Sequence, residues 1–144
     1  MRASERIKNK IKSYESCQLL PYKDAVGYYT VGYGHKCTDM TYPHKITQEK
    51  AEELFEKDIR ATESGLNSLN LPLLTQNQYD ALASFTFNLG IARLRRSTLL
   101  KRIYARSPAK YIQDEFRKWV YAGKTVLQGL VKRREYEAQL WIQP

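Results

Sequence analysis

Two acidic side chains and one hydroxyl lie near the start of the chain at a spacing that could support acid catalysis. Glu15, Asp24 and Thr30 fall within sixteen residues of one another. Glycoside hydrolysis requires a carboxylic acid that protonates the leaving oxygen and a second group that stabilises the oxocarbenium-like transition state or positions water. Glu15 can act as the acid, Asp24 as the stabilising carboxylate and the Thr30 hydroxyl as the holder of a water molecule. These residues are therefore candidates for a glycosidase site.

The segments around these three residues can bring them together. Ile7, Ile11 and Tyr14 recur at helical spacing, which predicts an amphipathic helix over residues 3–15 with Glu15 at its end. Residues 22–35, YKDAVGYYTVGYGH, are rich in aromatic and β-branched residues with interspersed glycines, which predicts a β-hairpin. Asp24 and Thr30 then lie on the hairpin, directly after the helix that carries Glu15.

Each of these residues also has an ordinary structural interpretation. Glu15 could be a solvated acid near a helix end, although that end of a helix is unfavourable for an anion. Asp24 is a residue type that commonly forms turns, and Thr30 is a residue type that favours strands. The spacing alone leaves both interpretations open.

The rest of the chain predicts helices with recognisable ends. Thr47 is a candidate N-cap for a helix that ends near Gly65. Residues 75–78, TQNQ, form a candidate capping box for a helix that continues to Gly90. Further helices are predicted to begin at residue 97 and at residues 107–108, the second continuing towards residue 123, and a last helix covers about 127–141.

This order of elements predicts an α+β, mainly helical fold in one domain over residues 1–144. An N-terminal α+β lobe covers about 13–47, a linking helix about 48–65, and a larger helical lobe about 66–144, on which the helix over 3–15 packs. A chain of 144 residues is long enough to form an independent enzyme.

The composition of the chain restricts the classes of protein to which it can belong. The chain has 24 Lys or Arg and 15 Asp or Glu, and this net charge of +9 favours a polyanionic partner. No apolar run approaches the roughly 20 residues that span a bilayer, and the first residues lack a signal-peptide core, which predicts a cytoplasmic protein. Cys17 and Cys37 have no neighbouring Cys or His at metal-ligand spacing, so we expect two buried thiols and no metal site.

Several further motifs accompany the triplet and carry a resemblance to a known family. They are TVGYGH at 30–35, LFEKDI at 54–59, SFTFNLG at 84–90, and GLVKRREYE at 129–137 within the segment from Trp119 to Trp141. Together with the spacing Glu15-x8-Asp24-x5-Thr30, they resemble the phage-type lysozymes of glycoside hydrolase family 24. The resemblance extends over nearly the whole chain, with the motifs in the same order.

The resemblance implies a lysozyme-like fold, with a small N-terminal lobe containing a β-hairpin or sheet and a larger helical lobe joined to it by a long helix. It implies an endolysin that hydrolyses the β-1,4 bond between N-acetylmuramic acid and N-acetylglucosamine in bacterial peptidoglycan, with inversion at the anomeric carbon. Glu15 would be the general acid, and Asp24 and Thr30 would stabilise the transition state and position water. Such an enzyme needs no cofactor, acts as a monomer, and reaches the periplasm from the host cytoplasm through a holin.

Other residues are expected to contact the substrate. Tyr33, Phe87 and Asn88 could line a saccharide cleft, because sugar rings offer apolar faces to aromatic rings and hydroxyls to amides. Gly34 would let the substrate approach the backbone, at a position that the resemblance places in the cleft. Trp119 is assigned to the core.

Two charged residues, Asp58 and Arg134, fall on apolar helix stripes and need partners. Asp58 is expected to pair with His35, a contact that the resemblance also implies. Arg134 could orient the carboxylate of Glu15, or could pair with a non-catalytic acid. Arg133 and Glu137, at helical spacing, are interpreted as a solvated pair.

Alternatives from other classes remain open at this point. The basic stretch Arg93, Arg95, Arg96, Lys101 and Arg102 could be a solvated face or could hold the protein to an anionic wall or lipid. A basic nucleic-acid-binding module would explain the charge but gives no role to Glu15 and Asp24, so neither nucleic acid nor a membrane-inserted state is expected. An inactive wall-binding relative would require a defective triplet, and the triplet is intact. Oxidation of Cys17 and Cys37 after release is a further possibility.

Overall fold

The computed structural model describes residues 1–24, 27–37 and 44–144. Residues 25 and 26 of the predicted hairpin and residues 38–43 of the predicted N-terminal lobe lie outside the described residues. The elements are α1 (Glu5–Glu15), β1 (Gln18–Lys23), β2 (Tyr29–Gly32), β3 (His35–Lys36), α2 (Gln48–Asn67), α3 (Gln76–Leu89), α4 (Ile91–Arg95), α5 (Thr98–Tyr104), α6 (Ala109–Arg117), β4 (Tyr121–Ala122), β5 (Thr125–Val126) and α7 (Gln128–Trp141). The predicted α+β, mainly helical class is confirmed.

The chain forms two compact units. One unit consists of Lys8–Ala61 and is called the sheet unit, and the other consists of Met1–Ile7 with Thr62–Pro144 and is called the helical unit. Both α1 and α2 contribute residues to each unit.

The sheet unit contains a three-stranded antiparallel sheet in the order β1-β2-β3. The first two strands confirm the predicted hairpin, and β3 is a short third strand that the sequence pattern did not predict. The sheet and α2 enclose a small apolar cluster of Val31, Cys37, Ile46, Ala51 and Leu54. Cys37 is buried as predicted, whereas Cys17 is only half-buried at the edge of this cluster.

The prediction for the start of α2 is confirmed, whereas the prediction for its end is wrong. Thr47 caps its start as predicted, because the Thr47 hydroxyl accepts a hydrogen bond from the Lys50 amide at 3.0 Å. The predicted end at Gly65 is wrong, since the helix continues to Asn67. A methyl group on Gly65 would stand 3.0 Å from Ile91, so this glycine allows close packing against α4 rather than ending the helix.

In the helical unit, the predicted caps of α3 and α5 are confirmed. Thr75 and Gln78 form a reciprocal capping box, and Gly90 ends α3 in a positive-φ conformation. Ser97 caps α5 by accepting a hydrogen bond from the Leu100 amide. The helices enclose a core that includes Leu82, Phe85, Leu94, Leu99 and Phe116.

Three local predictions in the helical unit need correction. The short helix α4 was not predicted. Because Pro108 has an extended ψ of 145°, α6 begins at Ala109 rather than at the proline itself. The helix also ends at Arg117, and the chain then forms a β4–β5 hairpin around Gly123, whose φ is 62°. Trp119 therefore lies beyond α6, where its half-buried ring packs edge-on against the buried ring of Phe85 at 5.5 Å.

Candidate active site

Glu15 is the last residue of α1, and the backbone ends the helix directly after it. Ser16 adopts a left-handed conformation with a φ of 52°, and its amide donates to the carbonyl oxygen of Lys12 at 2.9 Å. This is the helix ending usually made by glycine, and it turns the chain sharply towards β1. The half-buried Glu15 side chain is thereby held at a fixed end of a helix.

The carboxyl group of Glu15 occupies the space above Gly34. A methyl group built on Gly34 would stand 2.6 Å from Oε2 of Glu15 and 3.0 Å from its Cδ, which is too close for any side chain. Gly34 also has a φ of 73°, in the region that favours glycine. Gly34 is predicted to let substrate approach the backbone, and in the structure the Glu15 carboxyl lies against this glycine.

Asp24 organises the turn between β1 and β2. Its Oδ1 accepts a hydrogen bond from the Tyr28 amide at 2.9 Å, and its own amide donates to the Tyr28 carbonyl at 2.8 Å. The Gly27 amide donates to the Asp24 carbonyl at 3.0 Å. The turn-forming interpretation of Asp24 is therefore correct, and it fixes the position of the carboxylate by backbone contacts.

Thr30 faces a residue that sequence reasoning missed. In the antiparallel register Tyr22 lies directly opposite Thr30. The Thr30 side chain is 4% exposed, and its hydroxyl donates to the Tyr28 carbonyl at 3.3 Å. Tyr22 also lies two residues before Asp24, at the end of β1 that leads to it. The two-residue spacing between Tyr22 and Asp24 is the sequence signal that could have identified Tyr22.

The electrostatics of Tyr22 report on both candidate carboxylates. Burial is the main cause of a raised pKa for the Tyr22 phenol, and the negative charges of Glu15 and Asp24 raise this pKa further. The sheet unit thus places the Glu15 carboxyl against Gly34 and Tyr22 opposite Thr30, and the charges of Glu15 and Asp24 both act on the Tyr22 phenol.

Tyr33 is held firmly beside Gly34. Its hydroxyl donates to Oε1 of Glu52 at 2.9 Å and accepts a hydrogen bond from Nε2 of Gln48 at 3.0 Å. The Lys12 ammonium donates to Oε2 of Glu52 at 2.5 Å, and this contact is the main reason that the pKa of Glu52 is lowered. The network fixes the Tyr33 ring on the loop that carries Gly34.

The predicted pair of His35 and Asp58 is confirmed. Nδ1 of His35 lies 2.8 Å from Oδ2 of Asp58, with side-chain exposures of 17% and 30%. The contact joins β3 to α2. It therefore anchors the strand that follows Gly34.

The other predicted substrate-binding residues belong to the helical unit. Phe87 and Asn88 are half-buried residues in the last turn of α3. Oδ1 of Asn88 is buried and has no hydrogen-bond partner among the described residues.

Arg134 has a non-catalytic acidic partner. Its Nε lies 2.8 Å from Oε1 of Glu137, and its Nη2 donates to Oε2 at 3.0 Å. Ser84 donates a further hydrogen bond to Oε2 of Glu137 at 2.6 Å, and neither member of the pair is exposed. The predicted solvated pair of Arg133 and Glu137 is wrong, because the apolar face of α7 buries Glu137 completely. This burial raises the pKa of Glu137, against the opposing effect of the Arg134 charge.

Within the described residues, no three His, Cys, Asp or Glu side chains cluster as metal ligands. Cys17 and Cys37 are not joined by a disulfide.

Comparison with known proteins identifies a family and a fold for this chain. The family model described as "Phage lysozyme" matches residues 12–137. The muramidase domain of SpmX from Asticaccaulis excentricus has a similar structure, with a TM-score of 0.86, 30% sequence identity, and coverage of 99% of both chains. This similarity supports the lysozyme-like fold.

Phage endolysins are similar in sequence. The endolysin of Bacillus phage B103 is 41% identical over 136 residues, which cover 93% of this chain and 51% of that protein. The endolysin of Acyrthosiphon pisum secondary endosymbiont phage 1 is 39% identical over 149 residues, which cover 98% of both. The chain therefore spans about half the length of the Bacillus phage relative and almost the whole of the second. By the extent of these matches, the chain belongs to the phage lysozyme family.

Proposed function

We propose that this chain is a muramidase that hydrolyses the β-1,4 bond between N-acetylmuramic acid and N-acetylglucosamine in peptidoglycan. Glu15 acts as the general acid, and Asp24 and Thr30 stabilise the transition state and position the water. The endolysin names of the relatives support a role in host-cell lysis at the end of phage infection, by a monomer that reaches the wall through a holin.

The observation that carries this proposal is the packing of the Glu15 carboxyl against the backbone of Gly34. A proton donor must be held in one position relative to the bond that it cleaves. The helix end at Ser16 and the bare backbone of Gly34 restrict this carboxyl from two sides. The Asp24 carboxylate is restricted independently, by the amide of Tyr28.

The chemical steps follow from these positions. The Glu15 carboxyl gives its proton to the glycosidic oxygen, which takes the electron pair of the breaking C1–O bond. A water molecule attacks the anomeric carbon from the opposite face and loses its proton to the Asp24 carboxylate. The Thr30 hydroxyl donates to the Tyr28 carbonyl, which leaves its oxygen lone pairs to accept a hydrogen bond from that water. The anomeric configuration is inverted, and product NMR should show the α-anomer first.

Replacement of the proton donor tests the proposal most directly. Glu15→Gln should lower the rate of clearing of chloroform-permeabilised Gram-negative cells by about 10² to 10⁴, because general acid catalysis typically contributes that much. Glu53→Gln is the matched control, since Glu53 is an exposed acid of the same unit whose only described contact is with Lys50. We expect the control variant to retain wild-type activity. A Glu15→Gln enzyme with more than about a tenth of the activity would contradict the role of Glu15 as the acid.

A pair of glycine variants tests the packing of Glu15. Gly34 and Gly27 both have positive φ, at 73° and 91°, but only a methyl group on Gly34 would collide with Glu15. Alanine should therefore strain the backbone comparably at the two positions. We expect Gly34→Ala to lose at least about tenfold more activity than Gly27→Ala, as displacement of a catalytic group can cost 10²-fold. Equal losses in the two variants would show that the contact is not needed.

A further inference from the structure

The surface of three consecutive helices in the helical unit carries a concentration of positive charge that the proposed hydrolysis does not use. The 33 residues between Asp80 and Asp114 include seven Lys or Arg and no Asp or Glu. This segment therefore holds seven of the nine units of net positive charge. We call the exposed cations of this segment the basic face, and they are Arg93, Arg95, Arg96, Lys101, Arg102, Arg106 and Lys110.

No described carboxylate neutralises the charges of the basic face. Some other cations of the helical unit do pair with acids, as Arg117 does with Glu135 at 2.8 Å. None of the seven cations forms an ion pair with a carboxylate of a described residue. Arg95 donates to a serine hydroxyl at 3.4 Å, and the guanidinium of Arg102 lies 5.5 Å from the centre of the Tyr111 ring. An unneutralised field of this sign attracts a polyanion.

The helices that carry these cations, or that flank them in the case of Arg96 and Arg106, are neighbours in the fold. The helix α5 packs against both α4 and α6. The contact between Arg102 on α5 and Tyr111 on α6 joins two of them directly. The cations thus belong to one continuous group of helices rather than to separate parts of the unit.

Exposed apolar side chains lie beside the basic face. Leu73 is 99% exposed, and it lines a groove of about 410 Å³ together with Ile103 and Arg106. Tyr104 on α5 and Tyr111 on α6 are each nearly half exposed. Tyrosines and long cationic side chains are the residues that favour a boundary between apolar chains and polar headgroups.

We propose that the basic face binds the surface of an anionic lipid bilayer. Lys and Arg contact the phosphate headgroups, and Leu73 and the adjoining groove contact the acyl boundary. A soluble polyanion would use the charges but gains nothing from an exposed leucine, so the apolar residues favour a lipid surface. Among the described helices, none has the length and apolar character needed to cross a bilayer, so the binding is peripheral. This proposal is independent of the hydrolytic function.

Co-sedimentation with vesicles tests the proposal on the full chain. The protein should sediment with vesicles that contain phosphatidylglycerol at low salt and should remain in solution with vesicles of phosphatidylcholine alone. A cation near an anionic surface contributes about fivefold to membrane partition. The triple variant Arg93→Gln, Arg96→Gln, Lys101→Gln should therefore bind at least about tenfold more weakly. We expect this variant to fold normally, because the three side chains have no described partner that the substitutions would remove.

The matched control removes the same charge elsewhere. Lys57, Arg60 and Lys124 are also exposed and also lack a described ionic partner. The triple variant Lys57→Gln, Arg60→Gln, Lys124→Gln should retain binding to within about threefold. Both triple variants should hydrolyse solubilised wall fragments at the wild-type rate, because none of the six residues contacts the candidate active site.

A single apolar substitution distinguishes a lipid from a soluble polyanion. Leu73→Ser should weaken vesicle binding by at least about threefold, since it removes apolar contact area. The same substitution should leave retention on double-stranded DNA unchanged. The proposal is overturned if the wild type fails to bind anionic vesicles, if the two triple variants bind equally, or if the protein is retained by DNA but not by vesicles.

Discussion

Arg134 and Glu137 in the helical unit form an ion pair without any exposed surface, whereas His35 and Asp58 in the sheet unit pair at exposures of 17% and 30%. The first pair lies within one helix, three residues apart, and is completed by Ser84 of α3. The second joins residues of a strand and a helix. The comparison separates two uses of charge. Full burial makes the Arg134 pair part of the core, while the His35 pair ties together the elements that carry the candidate site.

The two pairs should differ most in the cost of losing one partner. A buried charge without its counter-ion keeps the whole desolvation penalty, whereas water can reach a half-exposed one. A third pair extends the series, because Arg117 and Glu135 are 37% and 48% exposed. If burial determines the loss of stability on removal of one partner, the loss should be largest for Arg134 and Glu137, intermediate for His35 and Asp58, and smallest for Arg117 and Glu135.

The largest effect is expected for the buried pair. Arg134→Met should destabilise the fold by about 3 to 5 kcal/mol, because Glu137 remains buried without its guanidinium. The double variant Arg134→Met, Glu137→Leu should be much more stable than the single one, since no uncompensated charge remains. Urea unfolding at pH 7 measures both. If the double variant loses as much unfolding free energy as Arg134→Met and Glu137→Leu lose together as single variants, burial of the unpaired charge is not the determining factor.

An intermediate effect is expected for His35 and Asp58. A double-mutant cycle with His35→Asn and Asp58→Asn should give a coupling free energy of about 1 to 3 kcal/mol at pH 5, where an ordinary imidazole is charged. The coupling should be smaller at pH 9, where an ordinary imidazole is neutral. Additive losses at pH 5 would mean that the 2.8 Å contact contributes nothing to stability.

The smallest effect is expected for Arg117 and Glu135. Glu135→Gln should destabilise by less than about 1 kcal/mol at pH 7, because solvent screens an exposed pair. Hydrogen bonds from Arg117 lower the pKa of Glu135 to about 2. A carboxyl whose pKa is lower in the folded state contributes stability above its unfolded pKa of about 4.3, and this is lost as the pH falls through about 2. Acid titration of the unfolding free energy, with Glu135→Gln as reference, measures the difference.

The carboxyls of Glu135 and Glu137 should respond to acid in opposite directions, although only one residue separates them in the chain. Burial raises the pKa of Glu137, so its folded form binds a proton more tightly than its unfolded form. Its contribution to stability should therefore increase as the pH falls towards the unfolded pKa, while that of Glu135 decreases below it. Carboxyl chemical shifts from NMR titration would show both directions in one experiment.

The sequence predicts best those features that depend on neighbours along the chain. The capping box of Thr75 and Gln78 and the cap at Ser97 need only a few consecutive residues, and both are confirmed. The predicted pair of His35 and Asp58 is confirmed although the two residues are 23 positions apart. An acid on an apolar stripe requires a partner, and the family resemblance supplied His35 as that partner.

Features decided by distant packing could not be predicted in the same way. Gly65 has the local properties of a helix end, but its role depends on Ile91 of another helix. The strands β4 and β5 have only two residues each, which is too short for an alternating pattern to appear. Arg134 could be recognised as a charge that needs a partner, but its pairing with Glu137 depends on complete burial, with Ser84 of α3 as the third member.

Tyr22 marks the limit of sequence reasoning at the candidate site. Its position two residues before Asp24 was visible in the sequence, but its relation to Glu15 depends on how α1 and the hairpin pack. The catalytic roles of Glu15, Asp24 and Thr30 remain predictions that the proposed variants will test.

The antiparallel register of β1 and β2 has a kinetic consequence. Tyr22 and Thr30 are opposite each other after closure of a very short loop, whereas contact between Ser84 and Glu137 requires closure across 53 residues. Short loops close with little entropic cost, and hairpins of this kind form within about 1 to 10 μs. During refolding, amides of β1 and β2 should therefore gain protection from hydrogen exchange before the buried pair of α7 assembles. The framework around Asp24 and Thr30 would then be in place while most of the helical core is still forming.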